Sequence, residues 1–147
     1  MMPIILDGTD SIGDLGDALA AKFTTPTAWT TYTPATTGMA LGNASVSASY
    51  TQIGKTVHVQ VFIKFGSTTT LGTDPNIGLP IAARDMELTT GTAIYVDVSA
   101  NSAKYMGAWR YGYLTREGGP WGQAGASSPF IWAVNDIILL SLTYEAA

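Results

Sequence analysis

Thr56-Val57-His58-Val59-Gln60-Val61-Phe62-Ile63-Lys64-Phe65 alternates without a break. Val57, Val59, Val61, Ile63 and Phe65 fall on one side of an extended chain, and Thr56, His58, Gln60, Phe62 and Lys64 on the other. Successive side chains of a strand point to opposite faces, so this alternation predicts a strand with one face in a core. The pattern recurs on both sides of it. Val46, Ala48 and Tyr50 alternate with Ser45, Ser47 and Ser49, and Ile94, Val96 and Val98 with Tyr95 and Asp97. Trp109, Tyr111 and Tyr113 alternate with Arg110, Gly112 and Leu114. Residues 137–144 close the chain as a strand that is large and apolar on both faces in its first half. Such a strand is expected to be covered on both sides, by a second layer and by another subunit. Gly- and Pro-rich turns at 66–72, 74–80 and 118–125 separate these runs. Short strands with such turns predict an all-β fold, an antiparallel β-sandwich or jelly-roll-like knob, over residues 41–147.

The N-terminal part reads differently. Ile4, Ile5 and Leu6 form a short extended apolar piece that ends at the turn signal Asp7-Gly8. Ser11 and Asp14 have capping-box spacing, and Ile12, Leu15 and Leu19 follow at helical spacing with Lys22 in the last turn. This predicts a short helix over 12–22. Gly13 and Gly16 each weaken it by about 1 kcal/mol relative to Ala, so it needs a surface to dock on. Residues 1–23 are thus expected to be an extended-plus-helical anchor. Residues 24–40 are expected to be an uncharged linker or wrapping arm, since no charged residue occurs between Lys22 and Lys55.

One domain is the expectation for 147 residues. Charged residues make up only 12%, about half the usual share. Hydrophobic content of 46% argues against a disordered chain. Asp7, Asp10, Asp14 and Asp17 against Lys22 put −3 of the net −4 into residues 1–22. The near-neutral remainder is a poor match to a nucleic-acid backbone. No apolar run approaches the length of a membrane-spanning helix, and the Ile4–Leu6 piece is too short, and lacks a basic flank, for a signal peptide. With no cysteine there is no disulfide, thiolate zinc site or cysteine nucleophile.

Chemistry-bearing residues are sparse. His58 is the only histidine, with no serine or carboxylate spaced to make a relay with it, so it reads as a surface or interface strand residue. Three copies of His58 around a symmetry axis are the one arrangement in which it would hold a metal. The early aspartates lack the spacing of a calcium loop. Asp97, Glu117 and Asp136 do not form a recognisable glycosidase pair. The expectation is therefore no enzyme, no metal and no cofactor. Tyr105, Trp109, Tyr111, Tyr113 and Trp121 are the receptor- or glycan-binding candidates, because Tyr and Trp offer large contact area with a polar tip. Trp29, Tyr32, Tyr50 and Trp132 read as core or intersubunit packing.

One ordered set of residues resembles a known group. Trp29-Thr30-Thr31-Tyr32-Thr33-Pro34, Leu41-Gly42-Asn43, Tyr50-Thr51-Gln52-Ile53-Gly54-Lys55-Thr56-Val57 and Leu79-Pro80 come first. Ser128-Pro129-Phe130-Ile131-Trp132-Ala133, Asp136 and Thr143-Tyr144-Glu145-Ala146-Ala147 complete it. Over roughly residues 28–147 this is similar to the β-module of bacteriophage tail-associated and fibre-type virion proteins (minor tail proteins, head or tail fibre knobs). Where that family often carries a second Gly after the Asn, this chain has Ala44. Ile4-Ile5-Leu6-Asp7-Gly8-Thr9 is similar to the opening of some fibre proteins, where such a segment attaches to the particle. The resemblance implies a homotrimeric structural appendage on the exterior of a virion. Ile4, Ile5, Leu6, Ile12, Leu15 and Leu19 would then contact other virion proteins, and host-surface polysaccharide would be the attachment partner. The alternative it implies is a capsid decoration or connector protein that joins virion parts without a receptor. Nucleic acid and membrane insertion are not expected.

Overall fold

The computed structural model describes residues 28–110, 112–116 and 122–147. They form nine strands: β1 (Thr30–Thr31), β2 (Thr36–Ala40), β3 (Ser45–Ile53), β4 (Thr56–Lys64), β5 (Thr70–Ile77), β6 (Thr90–Asp97), β7 (Ala103–Arg110), β8 (Tyr113–Arg116) and β9 (Ile137–Glu145). All belong to one antiparallel sheet, in the order β1-β3-β4-β9-β6-β7-β8-β5-β2, with no helix among the described residues. The predicted helix over 12–22, the extended piece before it and the anchor residues Ile4, Ile5, Leu6, Ile12, Leu15 and Leu19 lie outside the described residues.

The connectivity forces the sheet to curl. β1 and β2 are its opposite edges, yet only residues 32–35 join them. Laid flat, nine strands would put those edges about 38 Å apart. The chain from Thr31 to Thr36 reaches about 18 Å at most. The result is a curled half-barrel. Tyr32 ties its seam: its backbone N–H donates to Ala48 O on β3 (3.0 Å), and its hydroxyl lies 3.5 Å from Gly78 O beyond β5. Gly78 N–H in turn donates to Ala35 O at 2.7 Å. The described part of the stretch expected to be a linker or arm therefore supplies both edges of the sheet.

The inside of the curl is a single core. Val57, Val59, Val61 and Ile63 of β4 meet Ile138, Leu140, Leu142 and Tyr144 of β9, with Ala93 and Tyr95 of β6, Trp109 of β7, Leu114 of β8 and Ile77 of β5 closing around them. The alternation read in residues 56–65 is this inward face. Two buried tyrosines and one half-buried one spend their hydroxyls on backbone. Tyr95 OH donates to Thr115 O (2.8 Å) and Tyr144 OH to Ile81 O (2.7 Å). Burial raises the phenol pKa of Tyr95, of Tyr144 and of Tyr32, where a charge on Tyr144 adds to the effect. Asp136 is fully buried and caps the entry to β9, accepting from Val98 N–H (2.9 Å) and Ala133 N–H (2.6 Å).

Two expectations about strands change. Residues 109–114 are not one strand: Arg110 pairs with Tyr113 across a hairpin, with Gly112 at φ 91° in its turn. The turn reverses the chain, so Trp109 and Leu114 share the core although their spacing puts them on opposite faces of a continuous strand. Residues 70–77 are strand rather than turn. Asp74 at φ 52° makes an irregularity there, and Gly38 (φ 64°) on β2 lies opposite, where a Cβ would sit 2.2 Å from Thr73 O.

Candidate functional site

The three binding candidates among the described residues, Tyr105, Trp109 and Tyr113, do not converge. Trp109 is 0% exposed and its indole N–H donates to Ile77 O at 2.9 Å, so it is a core residue and no ligand reaches its ring. The reason is the register of β7 on β6, which sets Trp109 opposite Gly91 in the inward-facing row that continues to Leu142 of β9. Tyr105 pairs with Tyr95 on the inner side and is half-covered by Phe130, with ring centroids 5.0 Å apart. Tyr113 lies on the outer side and is 37% exposed. Tyr111 and Trp121 lie outside the described residues. Of the family-pattern aromatics, Tyr32, Tyr50 and Trp132 pack against the core. Trp29 is half-exposed and sets its ring edge-on to His58 (5.5 Å). His58 shares a 2.8 Å hydrogen bond between Nδ1 and Thr143 Oγ1. Among the described residues no group of three His, Asp or Glu side chains stands close enough to hold a metal ion.

The feature that the register does assemble is the outer face. Its positions alternate with the core positions just described. One row runs Ser47–Phe62–Leu139–Ile94–Met106, each residue paired directly with the next across β3, β4, β9, β6 and β7. Four consecutive strands thus place a large apolar side chain side by side on the solvent side, with Leu139 38% and Met106 47% exposed. The adjacent row runs Thr31–Ser49–Gln60–Ser141–Thr92–Ala108–Thr115 across seven strands. Its side chains are short and uncharged apart from the longer but neutral Gln60. The first row is a ridge and the second a trough.

Two shallow depressions, about 330 and 510 Å³, lie along the trough and share Thr92. The first is lined by no charged residue: Ser49, Gln60, Ser141 and Thr92 face Phe62 and Leu139. Cations are displaced to the margins of the face. Lys64 and Lys104 occupy the row beyond the ridge, and Arg110, in the row beyond the trough, lines the second depression. An uncharged face of this kind suits burial against another surface, because it can be dehydrated without stranding an ion.

Compared with known proteins, the chain matches no family model, no curated protein and no solved structure. The site is therefore argued from its own geometry. Sequence reasoning missed the ridge as a unit. The signal was present in part, as Phe62 and Leu139 are large residues at positions opposite to a core face. What it lacked was the register that brings 62, 139, 94 and 106 together.

Proposed function

We propose that this chain is a structural appendage protein of a bacteriophage virion, a short fibre, spike or knob that works by binding rather than by bond-making. The observation that supports the reading is the uncharged ridge-and-trough face on the outside of β3, β4, β9, β6 and β7. A covering surface for that face is what an assembled appendage supplies. In this reading the body is a homotrimer, and its curled sheet acts as a two-layered, sandwich-like knob, with β2, β5 and β8 folded over the β3-β4-β9-β6 side. Residues 1–23 fix it to the particle, and the exposed ends of the knob meet the host surface, where polysaccharide is the attachment partner. Tyr113 is the described aromatic candidate that remains accessible for that contact.

A second reading, a decoration or connector protein, draws on a different observation. Ile131 (77% exposed) and Leu88 (73%) are apolar side chains held out on loops, as in contacts between fixed protein partners. Antibody labelling of intact particles, together with binding of the purified labelled protein to host cells, tests the proposal. Label on an exterior appendage and saturable cell binding support attachment. Label on the particle without cell binding supports the connector. Absence from particles removes both.

A further inference from the structure

We infer that the depression between the β7–β8 hairpin and the β5–β6 loop receives the N-acetyl group of an amino sugar. The inference rests on the reading that host polysaccharide is the attachment partner, and it names the sugar chemistry. The depression measures about 320 Å³ and shares no lining residue with the two along the trough. That is near the lower end of ligand clefts, about 300–1,000 Å³, and suits one sugar residue rather than a length of chain.

Three observations carry it. First, the lining is apolar apart from one side chain. Leu79, Ala82 and Met86 form the wall on the loop side, and Trp109 closes the bottom without exposing its ring. Asn76 of β5 brings the one polar side chain among the described lining residues. The charges of the same loop are engaged elsewhere. Arg84 pairs with Glu145 at 2.8 Å, and both line a separate depression with Asp85 and Tyr144. A carboxylate or ammonium entering beside Asn76 would lose water without gaining a counter-ion. Second, the Asn76 amide is uncommitted. Among the described residues no hydrogen bond engages it, so it is free to donate to an acyl C=O or accept from its N–H. An N-acetyl group carries an amide for that bond and a methyl for the wall. A bare sugar hydroxyl carries nothing for the wall. Third, the space and its platform come from one turn. A Cβ on Gly112 would stand 2.7 Å from Asn76 Nδ2 and 3.7 Å from Met86 Cε, so the room between amide and wall exists because this residue has no side chain. The next residue, Tyr113, is the direct cross-strand partner of Asn76 and is 37% exposed. An accessible aromatic ring thus stands beside the depression, where the pyranose bearing the acetamide would pack.

Saturation-transfer NMR on the full chain tests this, with N-acetylglucosamine and N-acetylgalactosamine as probes against glucose, galactose and glucosamine. At least one N-acetylated sugar should bind saturably at millimolar concentration, with the acetyl methyl saturated most strongly. The sugars lacking the acetyl group should bind at least about tenfold more weakly. Asn76→Ala should weaken binding about tenfold by removing the amide. Ala82→Leu should do so by filling the depression. The Asn76 side chain bonds to nothing and Ala82 is exposed, so far-ultraviolet circular dichroism and the thermal midpoint should be unchanged in both.

Loss of N-acetyl sugar binding in both variants supports the site. Binding indifferent to both overturns it and leaves a sugar partner in place. No preference for the acetylated sugars, or equally tight binding of N-acetylalanine methylamide, overturns the amino sugar as the ligand. Binding of the unmodified protein to host cells separates the inference from the reading behind it. Cell binding without any N-acetyl sugar binding overturns the inference alone. N-acetyl sugar binding that depends on Asn76, without cell binding, supports the site and overturns the attachment role.

Discussion

The two faces of β4 are built from interleaved residues of one strand, yet they obey different rules. Val57, Val59, Val61 and Ile63 are all but completely buried, and each touches neighbours from strands distant in sequence. His58, Gln60, Phe62 and Lys64 mix polar, apolar and charged side chains within one strand. Only the cross-strand register sorts them into rows, the apolar one lying between a neutral one and a cationic one. The inner face is a property of strands, fixed by period-two alternation. The outer face is a property of the sheet, fixed by which residues of different strands stand abreast.

Stability should follow that division. The largest loss is expected at Trp109, the largest fully buried side chain among the described residues, whose indole also satisfies Ile77 O. Trp109→Ala should cost about 3–5 kcal/mol, measured by urea denaturation, because the remaining strands collapse only partly into the space left. A loss below about 1 kcal/mol would mean that the curl does not close over β7 as described.

A smaller and more gradual loss is expected in alkali. Tyr95, Tyr32 and Tyr144 have phenol pKa values raised by burial. An unfolded tyrosine titrates near pH 10. Below that pH both states hold the proton and the contribution to stability is complete. Above it the unfolded chain releases protons that the folded chain retains, so stability falls as pH rises toward the folded-state values. Thermal midpoints should therefore hold to about pH 10 and decline beyond it, with tyrosinate absorbance rising at the unfolding transition rather than before it. Replacing Tyr95 by Phe should remove part of the decline while leaving the neutral-pH fold.

How much of this was legible depends on the same distinction. The strands over 56–65 and 137–144, the all-β class and the core positions of β4 follow from alternation and composition alone. β5 was not legible, because Asp74-Pro75 carries a turn signature and only the opposing Gly38 shows that the irregularity is absorbed within a sheet. Trp109 was misjudged as a binding candidate for a related reason. Trp109, Tyr111 and Tyr113 look like one face of one strand until Gly112 turns the chain, after which Trp109 lies inside and Tyr113 outside. The ridge was beyond reach from the sequence, since residues 62, 94, 106 and 139 acquire a common meaning only through three strand pairings.

The smallest expected effect is the sharpest test of the contrast between faces. Ile63 and Phe62 are chain neighbours of similar hydrophobicity, one fully buried and the other on the ridge. Ile63→Ala should cost about 2–5 kcal/mol by loss of buried surface and creation of a void. Phe62→Ala, measured at concentrations too low for self-association, should cost less than about 1 kcal/mol, because its outer surface already faces water. The difference should narrow as protein concentration rises, since any contact made by the ridge adds to the stability of the associated state alone. Equal losses at the two positions in dilute solution would mean that the outer row is covered within a single copy, and the division between a strand-encoded inside and a sheet-encoded outside would fail at its centre.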